Sequence, residues 1–292
     1  MVANLLDENA PGYRHITVQP LAGAIGAQLG GFDLRTRQSD DVIDEIRRAF
    51  LQYLVVFVRE QQLEPHHLVT FARQFGELDP HHVLRGMNEA PEILEIVREP
   101  TDKYIFAPGW HADVTWQQKP VLGAMLYGVE VPDSGGDTLF ANQYLAYESL
   151  SDGLRSALDK LNAIHTAAKT YGDGAEKLTH VHLMKVDRSE AVKGFSAHPV
   201  VRTHPETGRK ALFLNSGYTV GFEGMVEAES KPLLDYLFEH STRPEFTCRF
   251  RWSPGSIAFW DNRCSVHCPI DDYFGQRRRT WRITLQGDEP RR

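Results

Sequence analysis

Cysteine is scarce in this chain, with three among 292 residues. Cys248, Cys264 and Cys268 provide neither an even number of thiols nor a Cys-x-x-Cys pair. The sequence therefore offers no disulfide framework, and we expect the three thiols to be reduced.

Long apolar runs and an excess of basic charge are also missing. No stretch approaches the roughly 20 apolar residues of a transmembrane helix, and the start of the chain lacks the basic and apolar regions of a secretion signal. We therefore expect a cytoplasmic protein that does not enter membranes. The 32 basic and 39 acidic side chains give a net charge of −7 without a basic stripe, so nucleic acid is not an expected partner. We expect the partner to be a small soluble ligand instead.

Apolar residues follow the spacing of strands in more places than that of helices. Residues 40–53 carry apolar side chains at intervals of three and four behind Ser39, which predicts a capped amphipathic helix. Residues 54–58 form a β-branched apolar run, typical of a strand buried on both faces. Further helices are predicted at 65–75, 153–161 and 229–240, the last with Pro232 in its first turn, and further strands at 121–131, 211–214, 245–252, 257–260 and 282–285. The pattern predicts a mixed, mainly β protein, which we expect to be one domain over residues 1–292.

Two histidines and one aspartate are candidate ligands for a metal ion. His111 and Asp113 are two residues apart, so in an extended strand their side chains project to the same face. His267 lies far along the chain, just after the strand at 257–260 and its turn, where a rigid strand end could present a third ligand. Two imidazoles and one carboxylate leave half of an octahedron open for other ligands. Zinc accepts the same three ligands, so the triad by itself leaves iron and zinc both open.

Two arginines follow the late histidine. Arg278 and Arg282 lie four residues apart, so on one strand they share a face and point into the same cavity. A guanidinium binds a carboxylate through two parallel hydrogen bonds and stays charged at any working pH. An open-sided triad beside a fixed carboxylate receptor suits a dicarboxylate that chelates iron at one end. The arginines therefore favour an iron-dependent oxygenase over a zinc site.

Several motifs stand out along the chain. They are residues 110–116 (WHADVTW), 135–138 (GGDT), 198–205 (HPVVRTHP), 260–263 (WDNR) and the late pair His267 and Arg278. Together they resemble the taurine dioxygenase and 2,4-dichlorophenoxyacetate dioxygenase (TauD/TfdA) family of iron(II)- and 2-oxoglutarate-dependent oxygenases, over nearly the whole chain. Residues 223–225, 229–234 and 246–249 are also similar to the (R)-selective aryloxyalkanoate (dichlorprop) dioxygenases.

The resemblance implies a role for each candidate site residue. His111, Asp113 and His267 bind iron(II), while Thr138 and Arg278 hold the distal carboxylate of 2-oxoglutarate. Arg282 matches the position that grips the anionic group of the substrate in taurine dioxygenase, which implies a small anionic organic substrate. Dioxygen is the second co-substrate. The family fold is a double-stranded β-helix, a cupin-like jelly-roll with several flanking α-helices, and family members are commonly homodimers or homotetramers.

Four positions around the implied substrate bear on its identity. His81 keeps a taurine-binding histidine. Leu84, Ala107 and Tyr218 stand where taurine dioxygenase has a tyrosine, an asparagine and a phenylalanine. Losing two polar contacts while keeping Arg282 describes an anion clamp with a more apolar wall. We therefore predict hydroxylation of an aryloxyalkanoate, alkylsulfonate or sulfate ester next to its heteroatom, with fragmentation of the product and release of succinate and carbon dioxide.

Three alternatives stay open at this point. They are taurine dioxygenase proper, a non-catalytic jelly-roll that binds an organic acid, and a zinc hydrolase with the same triad. Succinate formation and metal analysis separate the zinc enzyme, and oxygen consumption separates the binding protein. Residues 170–194 mix charge, glycine and histidine without a period, which is typical of either a lid over an active site or a disordered loop.

Overall fold

Strands dominate the computed structural model, which describes residues 12–81, 84–168 and 194–292. The strands are β1 (Thr17–Pro20), β2 (Ala27–Gly30), β3 (Val55–Val58), β4 (Leu94–Arg98), β5 (Gly123–Glu130), β6 (Thr138–Asn142), β7 (Asn162–Thr166), β8 (Phe195–Pro199), β9 (Val201–Thr203), β10 (Lys210–Leu212), β11 (Thr219–Phe222), β12 (Thr247–Phe250), β13 (Ile257–Asp261), β14 (Ser265–Pro269) and β15 (Arg278–Leu285). The helices are α1 (Asp40–Tyr53), α2 (Pro65–Ala72), α3 (Gln143–Glu148), α4 (Asp152–Leu158) and α5 (Glu227–Ser241). The prediction of a mixed, mainly β protein is confirmed.

The largest sheet runs in the order β1-β2-β3-β13-β5-β15-β4. Its neighbours are antiparallel except for β2 and β3, which run parallel. Smaller sheets have the orders β12-β6-β14, β11-β7-β8 and β10-β9. Every residue of β3 is buried, as the apolar run at 54–58 predicts. Phe57 of β3 stacks on Phe250 of β12 with ring centroids 4.0 Å apart, so one face of the large sheet packs on the β12-β6-β14 sheet.

Helix α1 covers the other face of the large sheet. The hydroxyl of Ser39 accepts a hydrogen bond from the backbone N–H of Val42, so the predicted cap is confirmed. Phe50 is buried on the sheet side of the helix, where its ring stacks 4.1 Å from that of Phe259 on β13. Leu54 then adopts a left-handed φ of 65°, which ends the helix and turns the chain into β3.

Two predicted helices have different ends in the structure. Helix α2 stops at Ala72, and the amides of Gln74 and Phe75 bond to carbonyls only three residues back, which tightens the end into a turn. Helix α5 starts at Glu227, because Glu229 accepts a hydrogen bond from the amide of Val226 and caps the helix earlier than predicted. The placement of Pro232 in the first turn is therefore wrong: it is the sixth residue of the helix. Proline has no N–H to donate to the carbonyl four residues back in the helix. Because Pro232 is exposed, water can bind that carbonyl instead.

Strand β15 begins at Arg278, earlier than the predicted start at residue 282. Its pairing with β4 matches Arg278 to Arg98, and its pairing with β5 continues to Leu285. Both candidate arginines are consequently on one strand. The other predicted strands and the helix at 153–161 differ from the structure by three residues or fewer at each end.

Two further expectations concern regions outside the core. The segment at 170–194 lies outside the described residues, apart from Gly194. Within the described ranges, no helix combines the length and the apolar character needed to cross a membrane.

Candidate active site

His111 and His267 lie side by side, although 267 − 111 = 156 residues separate them in the chain. The backbone N–H of His111 donates to the carbonyl of His267 at 2.9 Å, and the N–H of His267 donates back at 2.8 Å. Their buried imidazole rings are 4.2 Å apart between centroids. His267 follows the strand at 257–260 and its turn, as predicted, but the expectation that a strand end presents it is wrong, because His267 is the middle residue of β14 and pairs with β6.

Asp113 reaches the two histidines from a turn. Only His111 of this segment makes a β-bridge, and Val114 adopts a left-handed φ of 46°, so the expected extended strand through Asp113 is wrong. The side chains converge nevertheless. Oδ1 of Asp113 lies 3.8 Å from Nε2 of His111 and 3.9 Å from Nε2 of His267.

The amide side chain of Asn262 fixes this turn. Its Oδ1 accepts the backbone N–H of Asp113 at 2.6 Å, and its Nδ2 donates to the carbonyl of Asp113 at 2.9 Å. Nδ2 also lies 3.3 Å from the carbonyl of Val121. Both main-chain polar groups of a buried residue are thereby satisfied, which holds the carboxylate at a defined place.

Burial sets the charge state of both imidazoles. It lowers the pKa of His111, against the opposing effect of the Asp113 carboxylate, and it lowers the pKa of His267, to which the neighbouring His111 adds. Neutral imidazoles are the form that binds metals. Nδ1 of His111 donates to the carbonyl of Gly109 at 2.9 Å, which leaves the Nε2 lone pair for a ligand bond.

Gly217 packs directly against His111. A Cβ at position 217 would lie only 2.9 Å from the Cβ of His111, so this position has no room for a side chain.

Arg278 and Arg282 line one cavity with His111 and His267. Arg278 is buried, and its Nε and Nη2 have no hydrogen-bond acceptor within the described part of the chain. Burial lowers its pKa, but a guanidinium stays protonated in proteins. Nη2 of Arg282 lies 3.0 Å from Oδ1 of Asp113 in an ion pair, and its orientation does not meet the geometry of a hydrogen bond. Nε and Nη2 of Arg282 also lack an acceptor in the described chain, so the two cations differ in charge pairing: Arg282 has the carboxylate of Asp113 beside it.

Thr138, the first residue of β6, lies on the wall near Arg278. Gly135 and Gly136, with φ of 79° and 70°, turn the chain into β6 in a conformation that side chains disfavour. The hydroxyl oxygen of Thr138 accepts a hydrogen bond of 3.0 Å from the indole N–H of Trp252. The guanidinium carbon of Arg278 lies 5.5 Å from the centre of the same indole ring. One tryptophan thus contacts both residues.

The rest of the cavity wall is mostly apolar. Its apolar side chains are Ile96, Val97, Ile105, Phe106, Ala107, Leu126, Phe140, Trp260, Pro269 and Ile270. No aspartate or glutamate is part of the described lining, although Asp113 adjoins it through Arg282.

The four residues expected around the substrate are spread more widely. Ala107 lines the cavity, with a left-handed φ of 50°. Tyr218 is buried behind His111, its ring edge-on at 6.4 Å and 4.5 Å from that of Trp116. Nδ1 of His81 accepts the backbone N–H of the buried Leu84 at 3.0 Å. His81, Leu84 and Tyr218 are not in the described lining, so their contact with a substrate stays a prediction.

A second buried group of potential ligands, His204, Asp261 and Cys264, precedes β14. Asp261 accepts from Nε2 of His204 at 3.0 Å and from Arg263 at 2.7 Å. Burial opposes ionisation of Asp261, but Arg263 and His204 hold its pKa below the ordinary value. Because its carboxylate is already bound by these two groups, this cluster braces the turn that leads to His267.

Comparison with known proteins decides the family. The family model described as "Taurine catabolism dioxygenase TauD, TfdA family" matches residues 17–284. The chain belongs to this TauD/TfdA family. The resemblance drawn from the motifs is confirmed, and with it the prediction of an iron(II)- and 2-oxoglutarate-dependent dioxygenase.

Individual relatives of this TauD/TfdA protein cover most of its length. The alpha-ketoglutarate-dependent sulfate ester dioxygenase of Pseudomonas putida is 33% identical over 99% of this chain and 95% of its own. A taurine dioxygenase structure from Burkholderia xenovorans is 38% identical, with a TM-score of 0.81 over 95% of this chain and 91% of its own. The structure of AAD-2 with Mn(II) and N-oxalylglycine is 26% identical, with a TM-score of 0.77 over 94% of this chain and 98% of its own.

The residues present fit the cofactors of the family. One potential ligand atom from each of His111, Asp113 and His267 lies within 4.8 Å of the other two, which is within a small side-chain movement of the roughly 4.2 Å allowed by two bonds of 2.1 Å to one ion. Oδ2 of Asp113 is buried without a hydrogen-bond partner in the described chain. Nε and Nη2 of Arg278, which have no acceptor in the described chain, suit the distal carboxylate of 2-oxoglutarate.

Asn262 and Trp252 contact the site, yet neither has a role in the predictions from sequence. Asn262 belongs to the motif at 260–263, so the sequence does mark the position. The motif does not indicate that the side chain bonds to the backbone of Asp113. Trp252 only closes a predicted strand, and nothing in its spacing indicates a contact with Thr138, which is 252 − 138 = 114 residues away.

Proposed function

We propose that this TauD/TfdA dioxygenase hydroxylates a sulfate ester at the carbon that carries the ester oxygen, and that the product then fragments. The observation that carries the proposal is one cavity that joins the His111, Asp113 and His267 triad to the buried Arg278 and Arg282. A third arginine of the lining, Arg98, is already paired with Asp271 at 2.7 Å. Arg278 and Arg282 each bind a different anion. Arg278 with Thr138 serves the distal carboxylate of 2-oxoglutarate, and Arg282, beside the metal ligand Asp113, serves the sulfate group.

The protein's own residues place and shield the reactants. His111 and His267, kept neutral by burial, and the carboxylate of Asp113 would hold iron(II). Bound iron(II) supplies the activation of dioxygen, coupled to decarboxylation of 2-oxoglutarate. Ile105, Phe106 and Leu126 form an apolar wall that excludes water and suits the alkyl body of an ester.

The overall reaction balances without a further reactant. One oxygen atom of dioxygen enters succinate, and the other becomes a hydroxyl on the carbon next to the ester oxygen. The bond between this carbon and the ester oxygen then breaks. Its electron pair leaves with sulfate, and the hydroxyl loses its proton as it becomes the carbonyl of the aldehyde. The products are an aldehyde, hydrogen sulfate, succinate and carbon dioxide.

The cavity lining disfavours taurine. Taurine carries an ammonium group, and the described lining contains no aspartate or glutamate to neutralise it. Ala107, at the position of the expected asparagine, offers no polar side-chain contact either. A sulfate ester with an apolar tail leaves no charge without a partner, and the 33% identity to the sulfate ester dioxygenase of Pseudomonas putida supports the same class.

Three wider expectations belong to the same proposal. We propose that the large sheet and the β12-β6-β14 sheet are the two halves of a double-stranded β-helix, which the position of the cavity supports, since β4, β5 and β15 line it from one sheet and β6 and β14 from the other. Residues 1–292 as a single domain and assembly into a homodimer or homotetramer stay predictions.

A substrate screen tests the function. Iron(II)-loaded protein receives hexyl sulfate, hexanesulfonate, 2-phenoxypropionate or taurine, and succinate is measured beside released sulfate, sulfite, phenol or aldehyde. We expect succinate and sulfate in equal amounts, with hexyl sulfate giving the highest kcat/KM. A preference for taurine or 2-phenoxypropionate would replace the substrate class. Absence of succinate with all four, or activity with zinc and without oxygen uptake, would contradict the dioxygenase itself.

A further inference from the structure

We propose that Trp252 is a positioning residue that sets the hydrogen-bond polarity at the Arg278 end of the cavity. Through Thr138 it makes this end accept a carboxylate and reject an uncharged amide of the same shape. The inference rests on the proposed role of Thr138 and Arg278 in holding 2-oxoglutarate.

The contact between Trp252 and Thr138 has only one possible direction. An indole N–H is a donor and never an acceptor, whereas a hydroxyl has one donor and two acceptor sites. The 3.0 Å bond from Nε1 of Trp252 to Oγ1 of Thr138 therefore uses an acceptor site of the hydroxyl. The Thr138 O–H is left to donate to something else. Both side chains are buried, so bulk water does not compete for this bond.

Arg278 adds donors of the same kind beside this hydroxyl. Its Nε and Nη2 are buried without an acceptor in the described chain. The indole ring of Trp252, 5.5 Å from the guanidinium carbon, limits where the planar group can lie. Arg278 also hydrogen-bonds the hydroxyl of Tyr273 in the lining, and because a guanidinium can only donate, this contact uses an acceptor site of that hydroxyl. With the Thr138 hydroxyl oriented as a donor, the groups left for a ligand at this end all donate.

A site made only of donors distinguishes a carboxylate from an amide. Both oxygens of a carboxylate accept, so every donor finds a partner. The amide of 2-oxoglutaramate presents its own N–H groups to one of the donors and leaves a buried group without a partner. If the Trp252 N–H is removed, the Thr138 hydroxyl is free to turn and accept from that amide. Discrimination should then fall even though Thr138 and Arg278 are both intact.

Binding measured in the absence of turnover tests this. Protein loaded with Mn(II) without oxygen is titrated with 2-oxoglutarate and with 2-oxoglutaramate by calorimetry, for the wild type and Trp252→Phe. We expect the Kd for 2-oxoglutarate to rise roughly fivefold or more, because an oriented hydrogen bond to a charged group is lost. The Kd for 2-oxoglutaramate should stay within about twofold, so the ratio of the Kd for 2-oxoglutaramate to the Kd for 2-oxoglutarate should fall by about 2.5-fold or more. With iron(II), kcat at saturating 2-oxoglutarate should be retained while KM rises.

Two comparisons isolate the indole N–H from a general loss of packing. Trp281→Phe is the matched control, since Trp281 is equally buried and donates its N–H to Glu95 at 3.1 Å, but does not line the cavity. It should lose stability without changing either Kd. In a Thr138→Val background, Trp252→Phe should add little, because Trp252 acts through the hydroxyl. Trp252→Met, which fills space without donating, is the second variant if the phenylalanine variant does not fold.

The outcomes separate the two proposals. An unchanged ratio of the two dissociation constants in a folded Trp252 variant would overturn the role of Trp252 and leave the dioxygenase function standing. Additive losses in the Thr138→Val background would also overturn it, because Trp252 would then act independently of the hydroxyl. If wild-type protein binds neither ligand, the proposed 2-oxoglutarate site and the role of Trp252 both fail.

Discussion

The main chains of His111 and His267 exchange two hydrogen bonds, of 2.9 and 2.8 Å, directly beneath the imidazoles that they carry. The two candidate ligands are thus held together by backbone pairing that requires no ion. Asp113 joins them through Asn262 rather than through a strand. We therefore expect the metal site to be formed before metal binds.

Asn262→Ala should weaken metal binding while leaving all three ligands in place. Without the side chain, the backbone N–H and carbonyl of Asp113 lose their buried partners and the turn relaxes. Loss of such an orienting contact typically costs about 10- to 100-fold in metal affinity. Titration with Mn(II) under anaerobic conditions measures this change. A folded variant with the wild-type Kd would show that the turn is held by other contacts.

Arg278→Ala should raise the Kd for 2-oxoglutarate by roughly 100-fold or more and spare metal binding, because two hydrogen bonds to a charged carboxylate are lost. Calorimetry on the Mn(II)-loaded protein measures both constants. Arg277→Ala is the matched control, since Arg277 is partly exposed and pairs with Glu99 and Glu130 outside the cavity. Unchanged dependence on 2-oxoglutarate would refute the assigned role.

Arg282→Ala should make the metal-free protein less stable and more responsive to metal. The variant leaves the Asp113 carboxylate buried without its cation at 3.0 Å, and breaking such a pair costs about 3–5 kcal/mol. A bound divalent ion restores the counter-charge, so the rise in Tm on adding Mn(II) should exceed that of the wild type. Arg279→Ala, which removes a cation paired with Glu95, should show the wild-type rise. Equal rises in all three proteins would contradict the coupling.

The same Arg282→Ala variant should lose turnover of the anionic substrate more than affinity for 2-oxoglutarate, because the proposed function assigns the two arginines to different anions. Comparing kcat/KM for hexyl sulfate with the Kd for 2-oxoglutarate measures the difference. Equal losses of both would indicate one shared anion site.

His165 should make the protein less stable in acid. Burial, with a contribution from His198, lowers the pKa of His165 from 6.5 to about 3. Between these two values the unfolded chain binds a proton that the folded protein does not, so the free energy of unfolding falls as pH falls through this window. The contribution is about 1.4 kcal/mol per pH unit below pH 6.

Urea unfolding at pH 7, 6 and 5 checks this slope. His165→Gln should reduce the slope by about the same 1.4 kcal/mol per pH unit. His66→Gln, at an exposed position, should leave it unchanged. Identical slopes for the wild type and His165→Gln would mean that other groups cause the loss of stability in acid.

Local patterns predicted the elements whose signal lies within a few turns of chain. The Ser39 cap and the spacing of apolar residues in 40–53 predict α1, and the run at 54–58 predicts β3, because propensity and burial agree there. Strands β6 and β14, which carry Thr138 and His267, were missed. Their residues alternate less clearly, and they are strands because they pair with each other and with β12.

The sequence by itself determined the chemistry of this protein. Two imidazoles, a carboxylate and two arginines in motifs of a known family indicate iron and 2-oxoglutarate, since ligand type and charge belong to the side chains and do not depend on the fold. Only the tertiary structure decided how these groups are held and oriented. The pairing of His111 with His267, the bracing of Asp113 by Asn262 and the bond from Trp252 to Thr138 each join residues more than 100 positions apart. Such contacts form when sheets pair and pack, and no local pattern in the chain records which distant residue will become the partner.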